Sequence, residues 1–233
     1  MTGAADPRTA FKEQAALRAV AEEVRDGMVV GLGTGSTAAC VLRELARRVR
    51  DDRWELRGVP TSDQTAAEAR RLGIPLTTLD AVPDVALDGT DQIDSALNLV
   101  KGGGGAHVRE KIVALASRRV VIVADHTKAV ARLHGPVPLE VLAFALPWVL
   151  RVLPDRVPGS RPKIRLQDGQ PRLSDGGNFL VDLACGPIDD AAMLAAILDG
   201  TAGIVDHGLF VGIPHAAYLG GPDGVRRLTG GAR

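Results

Sequence analysis

Aromatic side chains are almost missing from this chain. Phe, Tyr and Trp make up 3% of its 233 residues, although apolar residues together reach 45%. A core must therefore be filled with Ala, Val, Leu and Ile, which suits buried parallel strands covered by helices. An excess of either charge is missing too, since 28 Lys and Arg balance 28 Asp and Glu. That argues against a nucleic acid or an anionic membrane as partner. No apolar run is long enough to span a bilayer. The opening residues, "MTGAADPRTAFKEQ", lack the charged-then-apolar pattern of a secretory signal. Cys40 and Cys185 are the only cysteines, and their spacing fits neither a redox motif nor a zinc site. They read as small buried hydrophobes. A soluble cytoplasmic protein is the expectation.

The length suffices for one large domain or two smaller ones. Asp6-Pro7 predicts an N-cap followed by proline at the first helical position, and apolar residues then recur at helical spacing up to Gly27. "MVVGLGTGSTAACVLRELARRVR" reads as a buried strand, a glycine-rich turn and an amphipathic helix capped by Ser36 or Thr37. "WELRGVPTSDQTAAEARRLGI" repeats that design, "DVALDGTDQID" is a strand running into carboxylates, and "KIVALASRRVVIVADHTK" is a helix followed by a strand. Strands alternating with helices predict an α/β fold on a parallel sheet. The pattern changes near residue 132. "KIRLQDGQPRL" carries a hairpin signal around Asp-Gly, "NFLVDLAC" is a strand, "IDDAAMLAAIL" a helix and "GIVDHG" a short strand. The expected division is residues 1–132 plus 207–233 as the α/β domain, with 133–206 as an inserted ferredoxin-like α+β domain.

The carboxyl ends of parallel strands are where open α/β sheets bind ligands. Four loops fall there: 33–37, 61–65, 88–94 and 125–128. In "GLGTGS" the last position of a G-x-G-x-x-G dinucleotide fingerprint is Ser36, so an NAD site is disfavoured. The stretch reads either as a small phosphate seat of helix-start N–H groups with the Thr34, Ser36 and Thr37 hydroxyls, or as an ordinary tight turn. Asp88, Asp91 and Asp94 lack the alternate spacing of a calcium loop, and Leu99 stands where its glutamate would be. They read either as holders of sugar hydroxyls or as turn-capping aspartates. In "KGGGGAHVREKIV", Glu110 either complements a helix dipole or acts as a base. With Lys101 as the facing cation, the pair would suit proton abstraction beside a carbonyl. No histidine has metal-ligand spacing, and His107 and His126 are expected to serve rim or packing roles.

Six segments in order, "GLGTGSTA", "LDGTDQID", "KGGGGAHVREKIVA", "VVIVADHTK", "DGGNFLVDL" and "GIVDHGLF", resemble the successive signatures of type A ribose-5-phosphate isomerase. The resemblance covers about residues 28 to 224. It implies a Rossmann-like catalytic domain interrupted by the ferredoxin-like one. It also implies an intramolecular aldose–ketose isomerase of the pentose phosphate pathway, with no cofactor or metal and a homo-oligomeric state, dimer or tetramer. By position, Glu110 is the expected base. Lys101 stabilises the enediolate, and Asp88 and Asp91 bind hydroxyls, with Asp88 assisting ring opening. Thr34, Gly35, Ser36 and Thr37 with Lys128 hold the phosphate. Gly89, Thr90, Gly102, Gly103 and Gly104 complete the substrate contacts.

The chain departs from the family pattern at Thr90 and Gln92 in "DGTDQ" and at "DGGN" (175–178), and it carries His107 and His126 where smaller residues are common. Those differences bear on which sugar is used. An isomerase of another sugar phosphate and a catalytically silent sugar-phosphate sensor are the alternatives. A sensor would have lost the base or the lysine, and no DNA-binding helix-turn-helix is attached. Arg226 and Arg227 read as serving the phosphate, an interface or nothing.

Overall fold

A computed structural model describes residues 6–230. The chain opens with α1 (Pro7–Glu23), where the Asp6 side chain accepts from the Arg8 N–H at 3.0 Å and proline leads the helix. There follow β1 (Val29–Leu32), α2 (Ser36–Asp51), β2 (Arg57–Pro60), α3 (Asp63–Arg71) and β3 (Val85–Asp88). Two short strands, β4 (Gln92–Ile93) and β5 (Leu99–Val100), precede α4 (His107–Ala116) and β6 (Val120–Asp125). Next come β7 (Val137–Val141), α5 (Leu146–Arg156), β8 (Arg161–Ile164), β9 (Leu166–Gln167), β10 (Gln170–Pro171), β11 (Phe179–Ala184), α6 (Ala191–Asp199) and β12 (Ile204–His207). The chain ends with β13 (Leu209–Phe210), β14 (Ala216–Gly221) and β15 (Gly224–Thr229).

Two compact units emerge. The first holds residues 1–90, 112–128 and 213–233. Its sheet runs β15-β14-β6-β3-β1-β2, parallel except for the antiparallel edge strand β15. Every residue of β1, β3, β6 and β14 is buried, as the near-continuous apolar strands required. Ala15, Ala19 and Val20 of α1 join Leu45 of α2, Leu87 of β3, Val121 of β6 and Tyr218 of β14 in one core. The sequence predicted a parallel α/β sheet, and the sheet is parallel apart from its edge strand β15.

The second unit holds residues 91–111 and 129–212. Its strands and helices succeed one another as β7-α5-β8-β11-α6-β12, with the β9–β10 hairpin between β8 and β11. The sheet order is β12-β7-β11-β8, antiparallel throughout. The Asp-Gly signal is realised between β9 and β10, where Asp168 and Gly169 both take positive φ. Val137, Leu139, Val149, Val181 and Leu198 lie in a second core.

The boundaries differ from those expected. Residues 91–111 pack with the second unit because β5 pairs with β4 and β13, and the Lys101 N–H donates to the Gly208 carbonyl at 2.8 Å. The crossing points fall at 128/129 and 212/213 rather than 132/133 and 206/207. Among the described residues no helix is long and apolar enough to cross a membrane.

Candidate active site

In the first unit the turn from β1 to α2 is organised around Asp88, the last residue of β3. Its Oδ1 accepts from the N–H of Thr34 at 3.2 Å and of Gly89 at 2.7 Å. Gly33 is required by this approach, since a Cβ there would lie 2.1 Å from Asp88 Oδ1. The Thr34 hydroxyl lies 2.8 Å from those of Thr61 and Ser62 and 3.0 Å from that of Thr65. That network takes up the 61–65 loop, whose Ser62 also caps α3 by accepting from the Thr65 N–H at 3.0 Å.

One expectation needs correcting here. Neither Ser36 nor Thr37 caps α2; the N-cap is Gly35, at φ 101, with no side-chain hydrogen bond. A glycine reaches that backbone conformation without strain. The first-turn N–H groups of α2 are therefore not covered by a side-chain cap, as an anion seat requires. Thr37 is buried, and a Cβ added at Gly89 would meet it at ordinary contact distance, 3.5 Å. Lys12 of α1 donates to the Ser36 hydroxyl at 3.1 Å and lies 3.9 Å from Asp125 Oδ2, a cation beside the turn that spacing alone did not flag. Lys128 ends a short 3-10 turn after β6, where Asp125 Oδ1 accepts from the Thr127 N–H at 3.1 Å. Thr90, half-buried, is the last residue of this unit's opening stretch.

In the second unit Lys101 and Glu110 meet. Lys101 Nζ is 3.4 Å from Glu110 Oε2, and both side chains are almost fully buried, at 4% and 6% exposure. Glu110 stands in the first turn of α4. Asp91 Oδ2 accepts from the Gly103 N–H at 2.8 Å, which brings the second aspartate to the same loop. Gly103 and Gly104 are exposed, whereas Gly102 and Gly105 are buried. The glycines answer first to the protein's own packing. Added Cβ atoms would lie 2.9 Å from His107 and Pro138 at Gly102, and 2.6 Å from Leu180 at Gly105, both positions of positive φ.

Phe210 lies under both lysines, with Lys101 Nζ 5.6 Å and Lys111 Nζ 5.3 Å from its ring centroid, distances suited to cation–π attraction. Lys111 pairs with Asp206 and approaches His207 Nδ1 at 3.5 Å, while His207 Nε2 is 3.1 Å from Asp199 Oδ1. Asp199, Asp206 and His207 form the one cluster of metal-ligand type among the described residues. The Lys111 ammonium already sits on it. Burial lowers the affinity of Lys111 and of His207 for a proton.

His107 is a packing residue, whereas His126 is exposed. His107 is fully buried, and burial pushes its imidazole down to about 3. His126 meets Phe11 edge-on, with ring centroids 5.5 Å apart. Gln92 ties two loops together, its amide donating to the His134 carbonyl and accepting from the His134 N–H, each at 2.9 Å.

The model of the family described as Ribose 5-phosphate isomerase A (phosphoriboisomerase A) matches residues 57–224. The chain is 49% identical to the Ribose-5-phosphate isomerase A of Chloroflexus aurantiacus, covering 94% of this chain and 92% of that protein. Among solved structures, ribose 5-phosphate isomerase from Plasmodium falciparum superposes with a TM-score of 0.92 at 37% identity, over 96% of this chain and 100% of that one. Ribose 5-phosphate isomerase A from Methanocaldococcus jannaschii gives 0.89 at 38% identity, over 94% and 98%.

Proposed function

The chain belongs to the ribose 5-phosphate isomerase A family, and we propose how its own residues divide the reaction that membership carries, the interconversion of ribose 5-phosphate and ribulose 5-phosphate. Glu110 takes the C2 proton of the open aldose and returns a proton to C1, while the C2 hydroxyl proton passes to the C1 oxygen. Between those events the electrons rest on an enediolate, whose oxygen charge Lys101 stabilises. Asp91 and Asp88 hold hydroxyls, and Asp88 assists ring opening. The turn of Thr34, Gly35, Ser36 and Thr37, with Lys128, takes the phosphate, its helix-start N–H groups supplying the donors beyond the Thr34 N–H that Asp88 holds. Gly89, Thr90 and the 102–104 loop complete the contacts. The observation that carries this reading is the buried approach of Lys101 to Glu110 beside a glycine loop.

The same proposal makes the first unit Rossmann-like and the second ferredoxin-like; the β7-α5-β8-β11-α6-β12 succession and the β12-β7-β11-β8 order support the latter. It includes a cytoplasmic homo-oligomer, dimer or tetramer, working without a cofactor in the pentose phosphate pathway. An apolar hollow of about 600 Å³ on the second unit, with Phe144 fully exposed at its wall, supports association.

The test is ketose formation from ribose 5-phosphate in EDTA, beside other pentose and tetrose phosphates. Wild type converts ribose 5-phosphate. Glu110→Gln loses about 10²–10⁴-fold in kcat, and Lys101→Ala about 10²–10³-fold, each with its circular dichroism retained. A folded wild type that makes no ketose overturns the reading. A variant near full turnover removes its residue from the mechanism.

A further inference from the structure

Two arginines of the second unit reach the glycine loop from the hairpin region. Arg165, directly after β8, donates through Nη1 to the carbonyls of Gly102 at 2.9 Å and Gly103 at 3.1 Å. Arg172, directly after β10, donates through Nη2 to the carbonyl of Gly104 at 2.6 Å. Arg165 is itself fixed, its side chain only 13% exposed and its Nε donating to Asp182 Oδ2 at 2.9 Å as one half of a two-pronged pair. Three consecutive loop carbonyls are thus held by guanidinium groups.

In a trans peptide the C=O and N–H point in opposite directions. Clamping the carbonyls of 102 and 103 therefore aims the N–H groups of 103 and 104 away from Arg165. The Gly103 N–H indeed meets Asp91, whereas the Gly105 N–H turns back onto the Gly102 carbonyl, which Arg165 also grips, at 2.9 Å. Gly104, exposed, carries the remaining N–H of that row. A cationic donor on a peptide oxygen also draws electrons from the same peptide's nitrogen and strengthens its N–H as a donor.

We infer that Arg165 and Arg172 are positioning residues of the isomerisation, acting through the glycine loop to aim the Gly104 N–H at the oxygen that becomes negative in the enediolate. This rests on the reaction proposed above. It makes the hairpin region of the second unit part of the catalytic apparatus through the loop carbonyls it grips. The arginines draw their effect from fixed geometry, so their loss falls on turnover more than on capture of the phosphate.

The experiment compares Arg172→Ala, Arg172→Lys and Arg165→Lys with wild type and Glu110→Gln. Arg165→Lys keeps a charge opposite Asp182 but cannot span two carbonyls, and half-buried Arg172 can be truncated without opening a core. Arg172→Ala and Arg165→Lys are expected to lower kcat roughly tenfold or more, with a much smaller change in KM. Phospho-erythronic acid, whose carboxylate carries charge near the enediolate position, should bind more weakly to both, while inorganic phosphate binds as to wild type. Arg172→Lys, retaining one donor, should recover part of the turnover. Wild-type kcat in both variants, or equal losses toward phosphate and phospho-erythronic acid, overturns the inference. An active wild type with a dead Glu110→Gln beside unchanged arginine variants sinks this inference and leaves the reaction standing.

Discussion

A charged imidazole needs water and acceptors, and fully buried His107 is cut off from the first, with Asp206 alone favouring its charged form and burial outweighing it. Its proton affinity drops from the ordinary 6.5 to about 3 because burial penalises the charged form. The unfolded chain therefore binds a proton below pH 6.5 that the folded chain refuses. Stability is full above that pH and falls as the pH drops toward 3, with a limiting slope of about 1.4 kcal/mol per pH unit. Urea midpoints measured from pH 7 to 4 should show the decline, and His107→Gln should flatten it. Equal slopes in both proteins would place the proton uptake elsewhere. At this scale the meeting of Lys101 and Glu110 was well marked in the sequence. Lys101 and Glu110 flank four glycines within ten positions, and a loop between strand and helix brings such neighbours together. Arg165 and Arg172 carried no such mark, because the carbonyls they grip lie more than sixty residues earlier.

Helix starts show how far local chemistry reaches. Asp6-Pro7 and Ser62 cap α1 and α3 with the side-chain bonds their residue types predict. At α2 two hydroxyl residues were available, yet Gly35 takes the cap, since Ser36 and Thr37 already lie inside the helix. One-residue offsets of this kind escape pattern reading because serine and threonine are acceptable on both sides of a boundary. Ser62 serves two purposes, capping α3 and standing 2.8 Å from the Thr34 hydroxyl. Ser62→Ala should therefore cost about 1–2 kcal/mol in a denaturant titration, at the upper end for a lost cap. Ser62→Thr, which keeps the hydroxyl, should restore most of it. A loss below a few tenths would mean the remaining hydroxyls close the gap.

The first unit is gathered from three separated stretches, and its seam is electrostatic as well as apolar. Glu23 of α1 accepts from Arg119 at 2.6 Å, from Tyr218 at 2.8 Å and from Arg227 at 3.1 Å. Burial alone would raise the Glu23 carboxyl, but those three donors outweigh it and hold it at about 2 instead of 4.5. A carboxylate depressed on folding stabilises above its unfolded value and loses that contribution as the pH falls from 4.5 toward 2. The linkage is about 3 kcal/mol. Glu23→Gln should lower the unfolding free energy at pH 7 by an amount of that order and lose the corresponding acid dependence, read from urea titrations at pH 7 and 3. An unchanged midpoint would show that Arg119 and Arg227 find other partners. Arg227, its role left open by the sequence, is thus a structural residue. The allegiance of residues 91–111 was equally hidden, because β5 is claimed by β13, over a hundred residues later.

The position of β14 in the sheet has a consequence for how this protein is made. The strand lies between β6 and β15, and with α1 it covers the core around Tyr218. A ribosome delivers it only after residues 91–111 and 129–212 of the second unit have emerged. Until then the nascent first unit has β6 as an open parallel edge and α1 with part of its apolar face uncovered. The second unit has no such wait, since all its strands through β13 precede residue 212. Synthesis order thus favours the inserted unit as the first to close, with the sheet that bears Asp88 sealed afterwards by β14 and β15.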